Sequence, residues 1–352
     1  LAPAVAPAAA PGAAPAKVAA VSPADAEAAR AAVVRGRQLF AARDFSGARA
    51  SFAEAMKRDP ASSDALFWAG RVDIASNAGK SYSRAIDEFG RALALDPARV
   101  QAHWGLGIAR YSLSDYDAAE RELRAFTAGA TEADPAAMRA EAHHFLGLIA
   151  GTAGRDDAAL AEFAAAAKLN PAWADVPFER GRILEALGRK DEALAAYRDA
   201  TRLEPNHLPA HFRLARLLRA TGRDDEAAHE ERIHRVLNTL TDNQTGKDVK
   251  TPEQRLALYG ELAQLDPTNR SARLEYARAL SELKRGTEAE LALDELMKDA
   301  PDYAEGCVLR ATLALRGGRK DEAARIVADF ARAAPAAVAA LPEELQALLP
   351  KH

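Results

Sequence analysis

The stretch from Gly147 to Pro171 reads GLIAGTAGRDDAALAEFAAAAKLNP, and five of its residues, Gly147, Ala159, Phe163, Ala166 and Pro171, decide the fold. The same spacing occurs at Gly36, Ala48, Phe52, Ala55 and Pro60. It returns at Gly181, Ala193, Tyr197, Ala200 and Pro205, with tyrosine in the aromatic slot. Gly147 and Gly181 stand 34 residues apart. A fixed period of this length marks a solenoid, in which each unit is a pair of helices that buries its apolar face on its neighbours. The glycine and first alanine let two antiparallel helices approach closely, while the aromatic and second alanine fill the seam to the next repeat. Proline closes the second helix, since it lacks a donor and disfavours helix before it. Gly154-Arg155-Asp156 and Gly188-Arg189-Lys190-Asp191 supply a helix-ending glycine and then an acidic first turn. Nothing reads as strand, because β-branched residues are sparse and sustained alternation is absent.

These residues resemble the tetratricopeptide repeat family over most of 29–240 and, more faintly, 252–341. The resemblance implies an all-α, right-handed solenoid of about eight to nine helix pairs. Repeats are expected near 29–62, 63–99, 100–139, 140–173, 174–207 and 208–240. The second carries an insertion around Ser76–Tyr82, and the third stretches through Thr127–Asp134. The sixth has Glu231 and His234 in its last two core slots. A flexible loop or hinge is expected at 241–251, followed by repeat-like helices over 252–341 and a capping helix and tail over 342–352.

Composition narrows the function. Aromatics are 6% while AVILMFWYC residues are 49%, largely alanine, which suits thin helix–helix seams rather than one thick core. The net charge of −4 with both signs interspersed lacks the basic stripe of a nucleic-acid binder. Residues 1–22 are nearly all alanine, proline and valine and read as a disordered or polyproline-like tether with no apolar run long enough to span a membrane. Since the chain starts at Leu1, a removed export signal or upstream trimming is expected; the periplasm is the expected compartment, with the cytoplasm as alternative.

Catalytic and cofactor motifs do not emerge, so no enzyme, cofactor or metal is expected. Gly246-Lys247 lacks the rest of a phosphate loop, and His229 and His234 are five apart, one too many to share a zinc-binding helical face. His103, His143 and His211 fall at the fourth repeat position and read as core-edge rings with a satisfied nitrogen. Cys307 falls in a core slot and reads as a small buried hydrophobe.

In proteins that resemble this one, the first helix of each repeat lines a concave surface through its second, fifth, ninth and twelfth positions. The fifth positions are Phe67, Trp104, His144, Phe178 and Phe212; the ninth include Arg37, Arg71, Arg182, Arg216 and Arg278; the twelfth include Tyr111 and Arg219. The expected partner groove is therefore Phe67, Arg71, Trp104, Tyr111, His144, Phe178, Arg182, Phe212, Arg216 and Arg219. Rings and guanidiniums together suit a peptide with acidic residues or a free C-terminal carboxylate. The competing reading packs the rings against the next repeat and pairs the arginines with local carboxylates such as Glu141, Asp175 and Glu185. The function expected is a non-enzymatic interaction scaffold that binds a partner segment and supports a larger complex in a bacterial envelope. The alternative is a targeting or regulatory subunit that docks through its convex surface.

Overall fold

The computed structural model describes residues 21–76, 81–242 and 251–349. Most of the tether over 1–22, the core of the insertion after Ser76 and most of the loop over 241–251 lie outside these residues. The chain divides into two compact units at Pro171 and Ala172. Among the described residues there is no strand.

Unit one holds four helix pairs: α1 (Pro23–Ala41) with α2 (Phe45–Arg58), α3 (Ser63–Ala75) with α4 (Ser81–Leu95), α5 (Gln101–Ser112) with α6 (Tyr116–Gly129), and α7 (Ala136–Thr152) with α8 (Asp156–Leu169). Each pair also packs on the next, and the odd-numbered helices α1, α3, α5 and α7 touch in sequence. Unit two begins the same way, with α9 (Asp175–Ala186) against α10 (Lys190–Leu203) and α11 (Leu208–Ala220) against α12 (Asp224–Asp242). A single helix, α13 (Pro252–Leu265), then packs on both α12 and α14 (Arg270–Glu282). The pairing resumes as α14 with α15 (Gly286–Asp299) and α16 (Ala304–Arg316) with α17 (Lys320–Ala333).

The repeated spacing is spent on close approach. A Cβ built on Gly36 would lie 2.6 Å from the Phe52 ring, on Gly147 2.7 Å from Phe163, and on Gly181 2.6 Å from Tyr197. Each motif glycine therefore makes room for the aromatic sixteen residues later in its own repeat. Phe52, Phe163, Tyr197 and the alanines beside them are buried. Between the helices of each pair whose turn is described, the chain passes through the left-handed region. Glycine takes that place at Gly154, Gly188, Gly222 and Gly318, whereas Arg43, Ser114 and Lys284 adopt it at φ near 60° without glycine's freedom.

One detail differs from the expected core. In α12 the buried residues are Ala227, Ile233, Val236 and Leu237, while Glu231 and His234 are only half-buried. The reason is α13, whose Leu262 joins Ile233, Val236 and Leu237 in one cluster and sets the face that α12 turns inward. At the C-terminal end, a 3-10 turn (Pro335–Ala340) and the short α18 (Glu343–Gln346) place Leu341 and Leu345 over Val327 and Phe330. That end of unit two is thereby covered, as a stack of repeats requires.

Candidate functional site

The fifth-position rings do not form a surface ladder. Phe67, Trp104 and His144 are buried, which corrects the exposure expected of them. Phe67 meets Phe89 edge-on at 5.7 Å and His144 meets Phe163 at 5.8 Å, so both complete the seams between helices. Phe178 is half-buried between Tyr197 and His207, at 6.0 and 4.9 Å. Phe212 alone of the five is exposed, at 52%, with His234 on one side.

The arginines separate into two groups. In unit two each is neutralised by a neighbour: Arg182 by Glu179 at 2.7 Å, Arg216 by Glu185 at 2.5 Å, Arg219 by Glu231 at 2.7 Å and Arg278 by Glu275 at 3.2 Å. Glu185 also accepts from the Tyr197 hydroxyl and Arg213, which fixes it beneath Arg216. In unit one, Arg37 and Arg71 have no ion-pair or hydrogen-bond partner among the described residues; they rest on rings instead. Arg37 lies 4.9 Å over Trp68, and Arg71 lies 4.5 Å over Trp68, 5.2 Å over Phe40 and 5.7 Å over Trp104. Such contacts hold a guanidinium plane without consuming its N–H groups.

For Arg182 and Arg278 the cause is a residue three positions earlier in the same helix, whereas Arg216 and Arg219 are met by Glu185 and Glu231 from other helices. Glu179 precedes Arg182 and Glu275 precedes Arg278, each within salt-bridge reach one turn away. Val34 precedes Arg37 and Trp68 precedes Arg71. A carboxylate is replaced by an apolar face, and the arginines stay available. Sequence reasoning placed Arg71 in the groove but missed Phe40, which occupies a twelfth position, and Trp68; the i−3 residue was a readable signal for Arg182 and Arg278, while the partners of Arg216 and Arg219 come from other helices.

Around this pile lies a hollow of about 540 Å3 lined by Val34, Arg37, Gln38, Phe40, Ala41, Trp68 and Arg71, a size within the roughly 300–1,000 Å3 range of ligand pockets. Arg71 also rests on Trp104, whose indole N–H donates to Glu141 at 3.2 Å. Burial raises the pKa of Glu141, with Trp104 and Arg71 pulling the other way. Burial lowers that of Arg71, and Arg37 adds to the lowering while Glu141 opposes it. Tyr111 is half-buried against Phe145 at 4.8 Å.

The histidines are structural clasps. His103, His143 and His211 each set Nδ1 against the carboxylate of Glu122, Glu162 and Glu230, at 2.7, 2.7 and 2.6 Å, always nineteen residues on in the paired helix. His207 accepts from the Ala210 N–H through Nδ1 and so caps α11. Cys307 is fully buried, and burial raises its thiol to about 11. Among the described residues no group of three or more His, Cys, Asp or Glu side chains is placed to hold a metal ion, and no helix is long and apolar enough to cross a membrane.

Family models for the tetratricopeptide repeat match residues 33–72, 71–135, 178–232 and 252–306. Among solved structures, that of Pseudomonas aeruginosa PilF is 18% identical, with a TM-score of 0.50, and the match covers 74% of this chain and 99% of that one. A MamA structure is 23% identical over 51% of this chain and 93% of its own, with a TM-score of 0.42. YrrB, a TPR protein with an unusual peptide-binding site, is 23% identical over 51% and 88%, with a TM-score of 0.41. No curated protein sequence matches.

Proposed function

Because the chain belongs to the tetratricopeptide repeat family, whose stacked helix pairs serve as protein–protein interaction scaffolds, we propose that its unit-one groove holds a segment of a partner protein and so supports assembly of a larger complex. The observation that carries this reading is the pile of Arg37 and Arg71 on Phe40, Trp68 and Trp104 beside an open hollow. Aromatic faces give large contact area at low entropic cost, and arginines enrich the centres of interfaces. Unit two contributes less through its own arginines, since local carboxylates already occupy them. The envelope placement rests on the composition of residues 1–22 and is tested by fractionating the native source.

The test is recovery of partners on the tagged full chain from that source. Replacing Tyr111 by Ala at the edge of the groove should reduce the recovered partner several-fold without changing the helical content. Undiminished recovery, repeated for an Ile74→Ala variant at the half-buried twelfth position of α3, would move the binding surface away from the groove.

A further inference from the structure

Two guanidiniums of unit one that meet no acceptor among the described residues lie against the same ring. Arg37 and Arg71 come from equivalent positions on neighbouring helices, α1 and α3, and share Trp68 as a support. Their N–H groups meet no acceptor among the described residues. Each guanidinium presents five donors and no acceptor, so only an oxyanion satisfies it well, and a carboxylate can take two parallel N–H bonds from one fork. The adjoining wall of Val34, Phe40 and Trp68 is apolar and accepts a hydrocarbon side chain. The hollow is open to solvent, so an occupant need not end inside it.

Resting on the groove reading above, we propose that Arg37 and Arg71 form a two-arginine subsite for an internal Asp or Glu side chain of the partner, read together with an adjacent aliphatic residue seated against Val34, Phe40 and Trp68. The charge argument selects this occupant. Arg37 and Arg71 share one ring, Glu141 faces Arg71 from behind, and Arg71 sits in a partly desolvated site where a directly bonded carboxylate gains most. Glu141 serves the subsite from behind. It accepts the Trp104 N–H, orienting the ring on which Arg71 rests, and it faces Arg71 without reaching ion-pair distance. Residues 1–20 are an unsuitable occupant, since they contain Lys17 and no acidic side chain.

The experiment uses the full chain and short acetylated, amidated peptides that carry one Asp or Glu beside a Leu, with Asn or Gln counterparts as controls. Binding is followed by titration calorimetry at low and moderate salt. The acidic peptides should bind at least about tenfold more tightly than their amide counterparts, and Arg37→Met and Arg71→Met should each remove about that factor. Added salt should weaken the acidic peptides selectively. Arg37→Met alters an exposed side chain, so it keeps the test intact if Arg71→Met fails to fold. Equal binding of acidic and amide peptides, retention of affinity in both variants, or no binding by any peptide of the series would overturn the subsite. So would binding only by peptides with a free terminal carboxylate. The groove itself is judged separately, by partner recovery in the Tyr111→Ala and Ile74→Ala variants, so failure of the subsite is told apart from failure of the groove.

Discussion

At the scale of single residues, the fold is held by contacts that leave no slack. The methyl that Gly147→Ala adds would lie well inside contact distance of the Phe163 ring, whose own walls are full. Overpacking of this kind costs about 1–3 kcal/mol, and a urea melt of the variant should show a midpoint shift of that sign; an unchanged midpoint would mean the seam can open. Glu88 gives a pH signature. Its carboxyl is buried beside Arg49 at 2.6 Å, and burial outweighs that pair and raises its pKa from 4.5 to about 7. The folded state therefore holds this proton more tightly than the unfolded chain. Its contribution is full below about 4.5 and is lost as the pH rises to about 7. The stability of the native protein relative to Glu88→Gln should fall across that window, as read from paired melts at several pH values. These particulars were only partly legible beforehand. Glycine and aromatic announced each other by spacing, whereas the burial of Phe67, Trp104 and His144 depends on how deeply the neighbouring helix settles, which no spacing reports.

At the scale of elements, the turn inside each pair is the weakest local choice the chain makes. Ser114 and Lys284 stand where four other repeats use glycine, and the left-handed conformation costs a residue with a Cβ roughly 1–2 kcal/mol. Ser114→Gly should accordingly raise stability by about 1 kcal/mol in chemical denaturation, a change that adds no contact; a loss would show that the Ser114 side chain serves some other purpose. Trimming the cap is expected to act in the opposite direction. Leu345 is buried on the last pair, so Leu345→Ala should cost about 2–5 kcal/mol, with exchange protection lost first in α17. The pairs α1–α2, α7–α8 and α9–α10 were readable from the period alone, and the other pairs up to α12 only through the family resemblance. The inward face of α12 was not, because α13 supplies Leu262 to it from outside the repeat pattern. The His–Glu clasps were half readable: each histidine was placed at a core edge, but its glutamate partner nineteen residues on became recognisable only once the paired helices were seen side by side.

For the molecule as a whole, the near-balance of charge conceals an uneven use of arginine. Most groove arginines are absorbed by glutamates one turn or one repeat away, and their removal should disturb a partner little, since exposed pairs contribute about 0–1 kcal/mol. Arg37 and Arg71 are the exception the account depends on. The direct measurement is site-specific photo-crosslinking in the native source, with a photoreactive amino acid in place of Gln38, at the rim of the hollow, or of Arg91, exposed on α4. Capture of a partner from position 38 and its absence from position 91 is the predicted result. Capture from position 91 with none from position 38 would contradict it and transfer the binding surface to the second helices of the repeats.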